Sequence, residues 1–275
     1  MKKYYEPERV KEHVPREPIP GEVRAPFLRP GELLSIQDKC PVAFQPLGTL
    51  EWHGRQNPIG CDAIKAERLC IEAARRWGGA VMPPIYFSHD AHRDCGHGVG
   101  LGMDAQAGFQ LPGSFYPIDD RLLREFMLNA CRNYLARGFE LVIVVSGHNP
   151  LLQQNLLDDV CYRMKDAEGA EPVCFTMEFA VILEGDPRRH SDHGAGYETS
   201  MMLHLAPERV NMQANDGMAV PNLAIGGRTP FHEATAEEGE IRFRMQTDGL
   251  IAFAETKLAA LRRARSERSA SPREG

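Results

Sequence analysis

The sequence has no apolar run approaching the roughly 20 residues that cross a bilayer, no Cys-x-x-Cys pair among its seven cysteines, and no excess of positive charge. Each absence excludes a class. Without an apolar span the chain is not an integral helical membrane protein. An odd set of unpaired-looking cysteines argues against a disulfide framework. Thirty-two Lys and Arg against thirty-eight Asp and Glu leave a net charge of −6, which disfavours nucleic acid and anionic lipid as partners. The opening MKKYYEPERVKEHVPREP lacks the apolar core of a signal peptide, so a reduced, cytoplasmic setting is expected. The cysteines are expected as small apolar core residues, not catalytic groups. What is present is ordinary for a globular protein: 275 residues, 43% of them apolar, enough to bury a core unaided.

Six of the twenty prolines fall in residues 1–35 among charges of both signs, which predicts an N-terminal arm without a long helix. From Pro41 the character changes. PVAFQPLG reads as a buried strand, and Asp62 to Trp77 places Ile64, Leu69, Ala73 and Trp77 at helical spacings. The alternation recurs: a strand at 80–86 interrupted by Pro83 and Pro84, a helix at 119–136, the β-branched strand ELVIVV at 140–145, a helix at 151–165 and a strand at 172–177. A short helix at 198–205 and a C-terminal helix at 249–265 follow, then a tail at 267–275 expected to be flexible. This pattern predicts one α/β domain over 36–266, a three-layer α/β/α sandwich around a mainly parallel sheet. In such folds ligands bind beyond the carboxyl ends of strands. The long Gly- and His-rich segment 88–117 breaks the rhythm and is expected to act as a substrate loop.

Three groups of chemically capable residues lie where those strand ends should be. GTLEWHGRQNPIGCD supplies Glu51, His53 and Asp62; residues two apart in an extended segment point the same way, so Glu51 and His53 can converge. Asp62 is equally suited to cap the following helix. SGHN places His148 just past ELVIVV, and SDHGAGYETS contributes Asp192, His193 and Glu198, the last also explicable by the helix dipole. Together they form a mixed nitrogen and oxygen set suited to one or two Zn, Mn or Fe ions, with Asp62 as the natural bridge between two. Such a site activates water against a carbonyl, and His193 is placed to protonate a leaving group.

Glu51-Trp52-His53-Gly54, Asp62 nine residues after His53, Ser146-Gly147-His148, and His193-Gly194-Ala195-Gly196-Tyr197-Glu198-Thr199-Ser200 resemble the motifs of the creatininase family of metal-dependent amidohydrolases. The resemblance runs from about Pro41 to Val210. It implies a creatininase-like fold, metal ligation by Glu51, His53, Asp62 and His148 with Asp62 bridging, and proton donation by His193. In the member that gives the family its name, a Glu two residues after the Gly-His histidine completes the ligand set. Pro150 stands there in this chain, and other members rely on the Glu of Glu-Thr-Ser, so Glu198 is the expected fifth ligand, with a catalytic role beside His193.

The departures bear on substrate. Gln56 replaces a second His, Asn149-Pro150-Leu151 replaces Gly-Gly-Asn, and Gly196 replaces the first Glu of the late motif, which argues against creatinine. The segment 88–117 adds His89, His92, Asp94, His97, Asp104 and Gln106, able to read a hydroxyl-rich substrate; a third metal at His89, His92 and His97 lacks firm ligand spacing. Substrate contacts are expected from Trp52, Gln56, His89, His92, His97 and Asn149. The expected function is hydrolysis of a small cyclic polar metabolite, by default at a cyclic amide C–N bond. The alternatives are C–C ring opening of an oxidised inositol of the 3-dehydro-scyllo-inosose type, deformylation of a formamide, or noncatalytic small-molecule binding. The resemblance further implies a homo-oligomer, often a hexamer.

Overall fold

The computed structural model describes residues 6–90, 92–94, 99–115, 118–166 and 169–270. Its centre is a four-stranded, all-parallel sheet in the order β2-β1-β5-β6, made of β1 (Val42–Leu47), β2 (Ala80–Val81), β5 (Leu141–Ser146) and β6 (Val173–Met177). Strands β1 and β5 are buried along their whole length, as expected of central parallel strands covered on both faces. Their side chains alternate between two cores. Val42, Phe44, Leu141, Ile143 and Val145 pack with helix α3 (Cys61–Arg76) and helix α8 (Ala236–Ala270). Ala43, Leu47, Val142 and Val144 pack with α5 (Asp120–Ala136) and α6 (Leu151–Arg163). The result is the expected α/β/α sandwich, the period of two along each strand building its two helical layers.

Pro46 sits inside a central strand, where a missing N–H is ordinarily costly. The geometry removes the cost. The Phe44 and Pro46 carbonyls accept from Met82 and Ile85 on the β2 side, where β2 has already ended at Val81 and the Pro83–Pro84 step carries the chain outward. This also corrects the expected strand at 80–86, which shortens to two residues with an isolated bridge at Ile85.

Two other expectations are corrected. The C-terminal helix begins at Ala236, not near 249: its polar first half and its glycines look like a loop, yet a Cβ on Gly239 would meet the Ser200 carbonyl oxygen at 2.0 Å and one on Gly249 the Val181 oxygen at 2.1 Å. These glycines permit close packing rather than breaking the helix. Segment 88–117 is not structureless. It forms an antiparallel pair, β3 (His92–Asp94) and β4 (Val99–Leu101), then the single-turn α4 (Asp104–Ala107). The arm contains α1 (Pro7–His13) and α2 (Pro30–Lys39), both short. Helix α7 (Gly196–Leu205) packs on α8 with residues 196–202 buried. Among the described residues no helix is long and apolar enough to cross a membrane, and the six cysteines are all free.

Candidate metal centre

The carboxyl ends of β1, β5 and β6 open onto one place. Beyond β1 the chain delivers Glu51 and His53, beyond β5 His148, and directly after β6 Glu178, while the first turns of α3 and α7 bring Asp62 and Glu198. The approach of α3 to the sheet is set by glycine. A Cβ on Gly147 would lie 2.1 Å from the Asp62 carbonyl oxygen, and one on Gly48 2.3 Å from the Ala63 nitrogen. Only glycine lets the two strand ends touch the start of α3, and that contact carries the Asp62 side chain inward. Asp62 is not the helix cap; Gly60 holds that position.

Glu51, His53, Asp62, His148 and Glu198 are all buried. The His53 Nδ1–H donates to the Glu51 carbonyl at 3.2 Å, which turns Nε2 toward Asp62 Oδ1 at 3.2 Å, Glu198 Oε2 at 3.5 Å and Glu51 Oε1 at 3.8 Å. A ring nitrogen facing three carboxylates must carry a proton or meet a cation. Burial alone would lower the His53 pKa, but Asp62, Glu198 and Glu51 overcome it and hold the ring proton to about 10. His148 Nδ1 lies 2.9 Å from Glu51 Oε1 and 3.2 Å from Asp62 Oδ2. Its Nε2 is buried without a hydrogen-bond partner, 3.4 Å from Asp90 Oδ2. Asp62 therefore addresses His53 with one oxygen and His148 with the other. Ligand atoms of Glu51, Asp90 and His148 lie within 4.8 Å of one another, as do those of His53, Asp62, Glu198 and Cys61. The Cys61 thiol is pushed far up by burial, which leaves it the weakest donor of the second group.

His193 stacks on His53, ring centroids 4.5 Å apart. Its Nε2–H donates to the Trp52 carbonyl at 2.6 Å, because a carbonyl only accepts, and its Nδ1 lies 3.8 Å from Glu51 Oε1. Asp192 accepts from the backbone N–H groups of Tyr197 and Glu198 at 2.7 and 3.2 Å, satisfying the start of α7. Burial, reinforced by Glu198, raises its carboxyl to about 7.

A cavity of about 460 Å³ opens over this cluster. Glu51, Asp62, Asp90, His148, Asn149, Gln154, Asp192, His193 and Glu198 contribute to its wall. Of the residues expected to contact substrate, Asn149 lines it, while three are turned to internal partners. Gln56 is buried, its amide donating to the Gly194 carbonyl and accepting from Asn222; Trp52 donates Nε1–H to the Leu223 carbonyl; His89 Nδ1 faces the Ile118 carbonyl. His92 lies in β3, and His97 lies outside the described residues. Asp104 is buried and accepts from the backbone of Leu101 and Leu111, so it shapes the segment rather than facing the cavity.

Three site residues escape the sequence reading. Lys65 is fully buried, its ammonium bonded to Glu198 and lying 3.3 Å from Glu178 Oε1 and 3.4 Å from Asp62 Oδ1. Glu178 also accepts from Asn149 Nδ2 at 2.9 Å and the Tyr197 hydroxyl at 3.2 Å. Asp90 faces His148. The signals were present: Lys65 follows Asp62 by three, on the helix face of Ala66, Leu69 and Ala73, and Glu178 follows a strand end as His148 does. Helical spacing had favoured Ile64 for that face; the structure leaves Ile64 half-buried and puts Lys65 inside.

The comparisons with known proteins agree with this architecture. The creatininase family model, described as creatinine amidohydrolase, matches residues 29–254. The chain belongs to the creatininase family. Members of the creatininase family are metal-dependent amidohydrolases. The chain is 24% identical to the creatinine amidohydrolase of Pseudomonas putida over 184 residues, 62% of this chain and 66% of that protein. It is 20% identical to the 3-dehydro-scyllo-inosose hydrolase of Thermotoga maritima over 161 residues, 58% of this chain and 46% of that one. The chain thus matches less than two thirds of the length of either curated relative. A crystal structure of creatininase shares the fold with a TM-score of 0.67 at 20% identity, over 86% of this chain and 98% of the other.

Proposed function

We propose that this creatininase-family chain is a metal-dependent hydrolase of a small, cyclic, polar metabolite, with a cyclic amide C–N bond as its default target. The observation that carries the proposal is the convergence of the Glu51, Asp62, Asp90 and Glu198 carboxylates on one cavity with the buried His148 ring, whose Nε2 pairs with Asp90 Oδ2 at 3.4 Å without a well-formed hydrogen bond. Glu51, Asp62, Glu178 and Glu198 are all buried, three of them around the Lys65 ammonium; without a metal the cluster keeps a further proton on His53, and a divalent ion is the cation that would take its place. Glu51, His53, Asp62, His148 and Glu198 are the residues that would hold it, a donor set that fits one or two zinc, manganese or iron ions. Among solved creatininases, one is of a Zn-Zn type and another a manganese form. When bound, the ion supplies a water that is nucleophilic near neutral pH and polarises the substrate carbonyl.

The chain's own residues account for positioning and proton movement. His193 presents Nδ1 to the cavity and takes a proton from the attacking water there. It returns that proton to the departing nitrogen as the C–N bond breaks. The Nε2–H bond to the Trp52 carbonyl holds the ring in one orientation through both transfers. Asp192 fixes the start of α7 and with it Glu198. Asn149, Gln154 and Ser191 offer hydrogen bonds along the wall, suited to a substrate carrying several hydroxyl or amide groups.

That polar wall also favours a second reading, hydrolytic C–C opening of an oxidised inositol; the Thermotoga relative bears the name of such an activity. Metal-replete protein assayed against creatinine, other cyclic amides, formamides and 3-dehydro-scyllo-inosose separates the readings. Turnover of one class, abolished in Glu51→Gln and His148→Ala, supports hydrolysis. Metal and ligand binding without turnover across the panel indicates a binding protein instead. A cytoplasmic homo-oligomer is the proposed working form, its assembly measurable by light scattering.

A further inference from the structure

We propose that each subunit holds a single tightly bound divalent ion, on the His148 side of Asp62, and that the ammonium of Lys65 is the resident second cation of the site. This rests on the metal-dependent reading above and goes beyond it in assigning the occupants. Helix α3 turns Asp62 and Lys65 to the same side, three residues apart. The two oxygens of Asp62 then serve different neighbours: Oδ2 faces His148 Nδ1 at 3.2 Å, whereas Oδ1 faces His53 Nε2 at 3.2 Å and Lys65 Nζ at 3.4 Å. Glu198 divides likewise. Its Oε1 bonds to Lys65, and its Oε2 accepts from the Gly194 N–H at 2.7 Å. Glu178 Oε1 is the third neighbour of the ammonium at 3.3 Å.

A lysine ammonium has three N–H donors and no acceptor, and here three carboxylate oxygens, from Asp62, Glu178 and Glu198, surround it with no exposure to solvent. Its charge is placed where the oxygens of a second ion's ligand set converge. An ion held by His53, Asp62 Oδ1 and Glu198 would share both carboxylates with that ammonium, like charge beside like charge in a buried setting where water screens little. The other side differs. Among the described residues, no Lys or Arg lines the cavity beside Glu51 and His148, and the buried His148 Nε2 faces Asp90 Oδ2 at 3.4 Å without a well-formed hydrogen bond. Asp90 thereby supplies a further carboxylate oxygen on this side, 3.4 Å from His148 Nε2.

The test is ion stoichiometry on the full chain, loaded with excess Mn(II), freed of unbound ion by gel filtration, and measured by elemental analysis and by electron paramagnetic resonance. Wild type is expected to retain one ion per subunit with the spectrum of an isolated Mn(II). Lys65→Met is expected to retain two, with the spectrum of a coupled pair. Two tight ions in wild type, or one in a folded Lys65→Met, overturns the proposal and leaves the metal-dependent reading standing; no ion in wild type overturns that reading as well. If Lys65→Met fails to fold, His53→Gln and Asp90→Asn decide. Retention of the ion in His53→Gln with at least tenfold weaker binding in Asp90→Asn supports the placement, and the reverse pattern refutes it.

Discussion

Gly147→Ala is the sharpest test of how the fold builds the site. The added Cβ would meet the Asp62 carbonyl oxygen at 2.1 Å and the Asp62 carbonyl carbon at 2.8 Å, both backbone atoms that no rotamer change can move. Ordinary contact begins near 3.4 Å, so the end of β5 and the start of α3 must part by roughly 1 Å in a close-packed interior. Overpacking of this kind typically costs about 1–3 kcal/mol, and the upper end is expected because both partners are main chain anchored in the sheet and a 16-residue helix. At roughly 2–4 °C per kcal/mol for a domain near this size, the melting temperature should fall by about 6–12 °C. The site should suffer more than the fold, since Asp62 and His148 sit on the separating segments and a 1 Å misplacement can cost on the order of 10²-fold in activity. Thermal unfolding by circular dichroism, paired with metal content after gel filtration, measures both. A variant melting within about 1 °C of wild type with full metal would refute the reasoning; Gly21→Ala, where nothing lies within 4 Å of the added carbon and φ is not positive, shows how much a mere glycine-to-alanine change contributes.

His193→Ala should lower kcat by about 10²–10⁴-fold, the usual worth of a positioned acid–base group, while metal content stays that of wild type; loss of metal instead would make His193 a ligand. For the metal-free protein, the His53 pKa of about 10 exceeds its ordinary value near 6.5, so the folded state holds a proton that the unfolded chain releases first. The stability from that proton is complete below about pH 6.5 and is lost as pH rises through about 10. Chelated protein should therefore melt progressively lower between those limits, whereas metal-loaded protein, in which the ion replaces the proton, should not; parallel melting curves would contradict this. Gln56→Ala leaves the Gly194 carbonyl and Asn222 without their partner, at about 1–3 kcal/mol, and is expected to reduce urea stability with little change in KM, because the amide does not line the cavity.

Much of the architecture was legible along the chain because burial on both faces leaves a compositional mark. VAFQPL and LVIVVS are largely apolar runs broken only by the buried Gln45 and Ser146, and the helices between them repeat at helical spacing. The errors share a cause. The C-terminal helix was expected to start at 249 and not at Ala236, because what admits Gly239 and Gly249 into it, contact with the Ser200 and Val181 carbonyls, lies in residues distant in sequence. The strand at 80–86 ended early because Pro83 and Pro84 prevailed over the apolar pattern. Gln56 and Trp52 were expected at the substrate, yet Trp52, next to His53, points the other way and Gln56 lies in the turn at 54–56, and both found partners in the 194–223 segment.

By itself the sequence determined the α/β/α class and the rule that chemistry gathers past strand ends, because alternating burial and strand-helix order are local properties that survive in one dimension. It also set out the residue types of a metal centre in three short motifs. Only the tertiary structure decided which of them face one another. Asp62 divides its two oxygens between His53 and His148, Asp90 arrives from a separate segment, and Lys65, an ordinary surface residue by type, is driven inside because Glu178 and Glu198 converge on it from β6 and α7. Charge compensation in a buried site depends on distances across the fold, and no spacing along the chain encodes those.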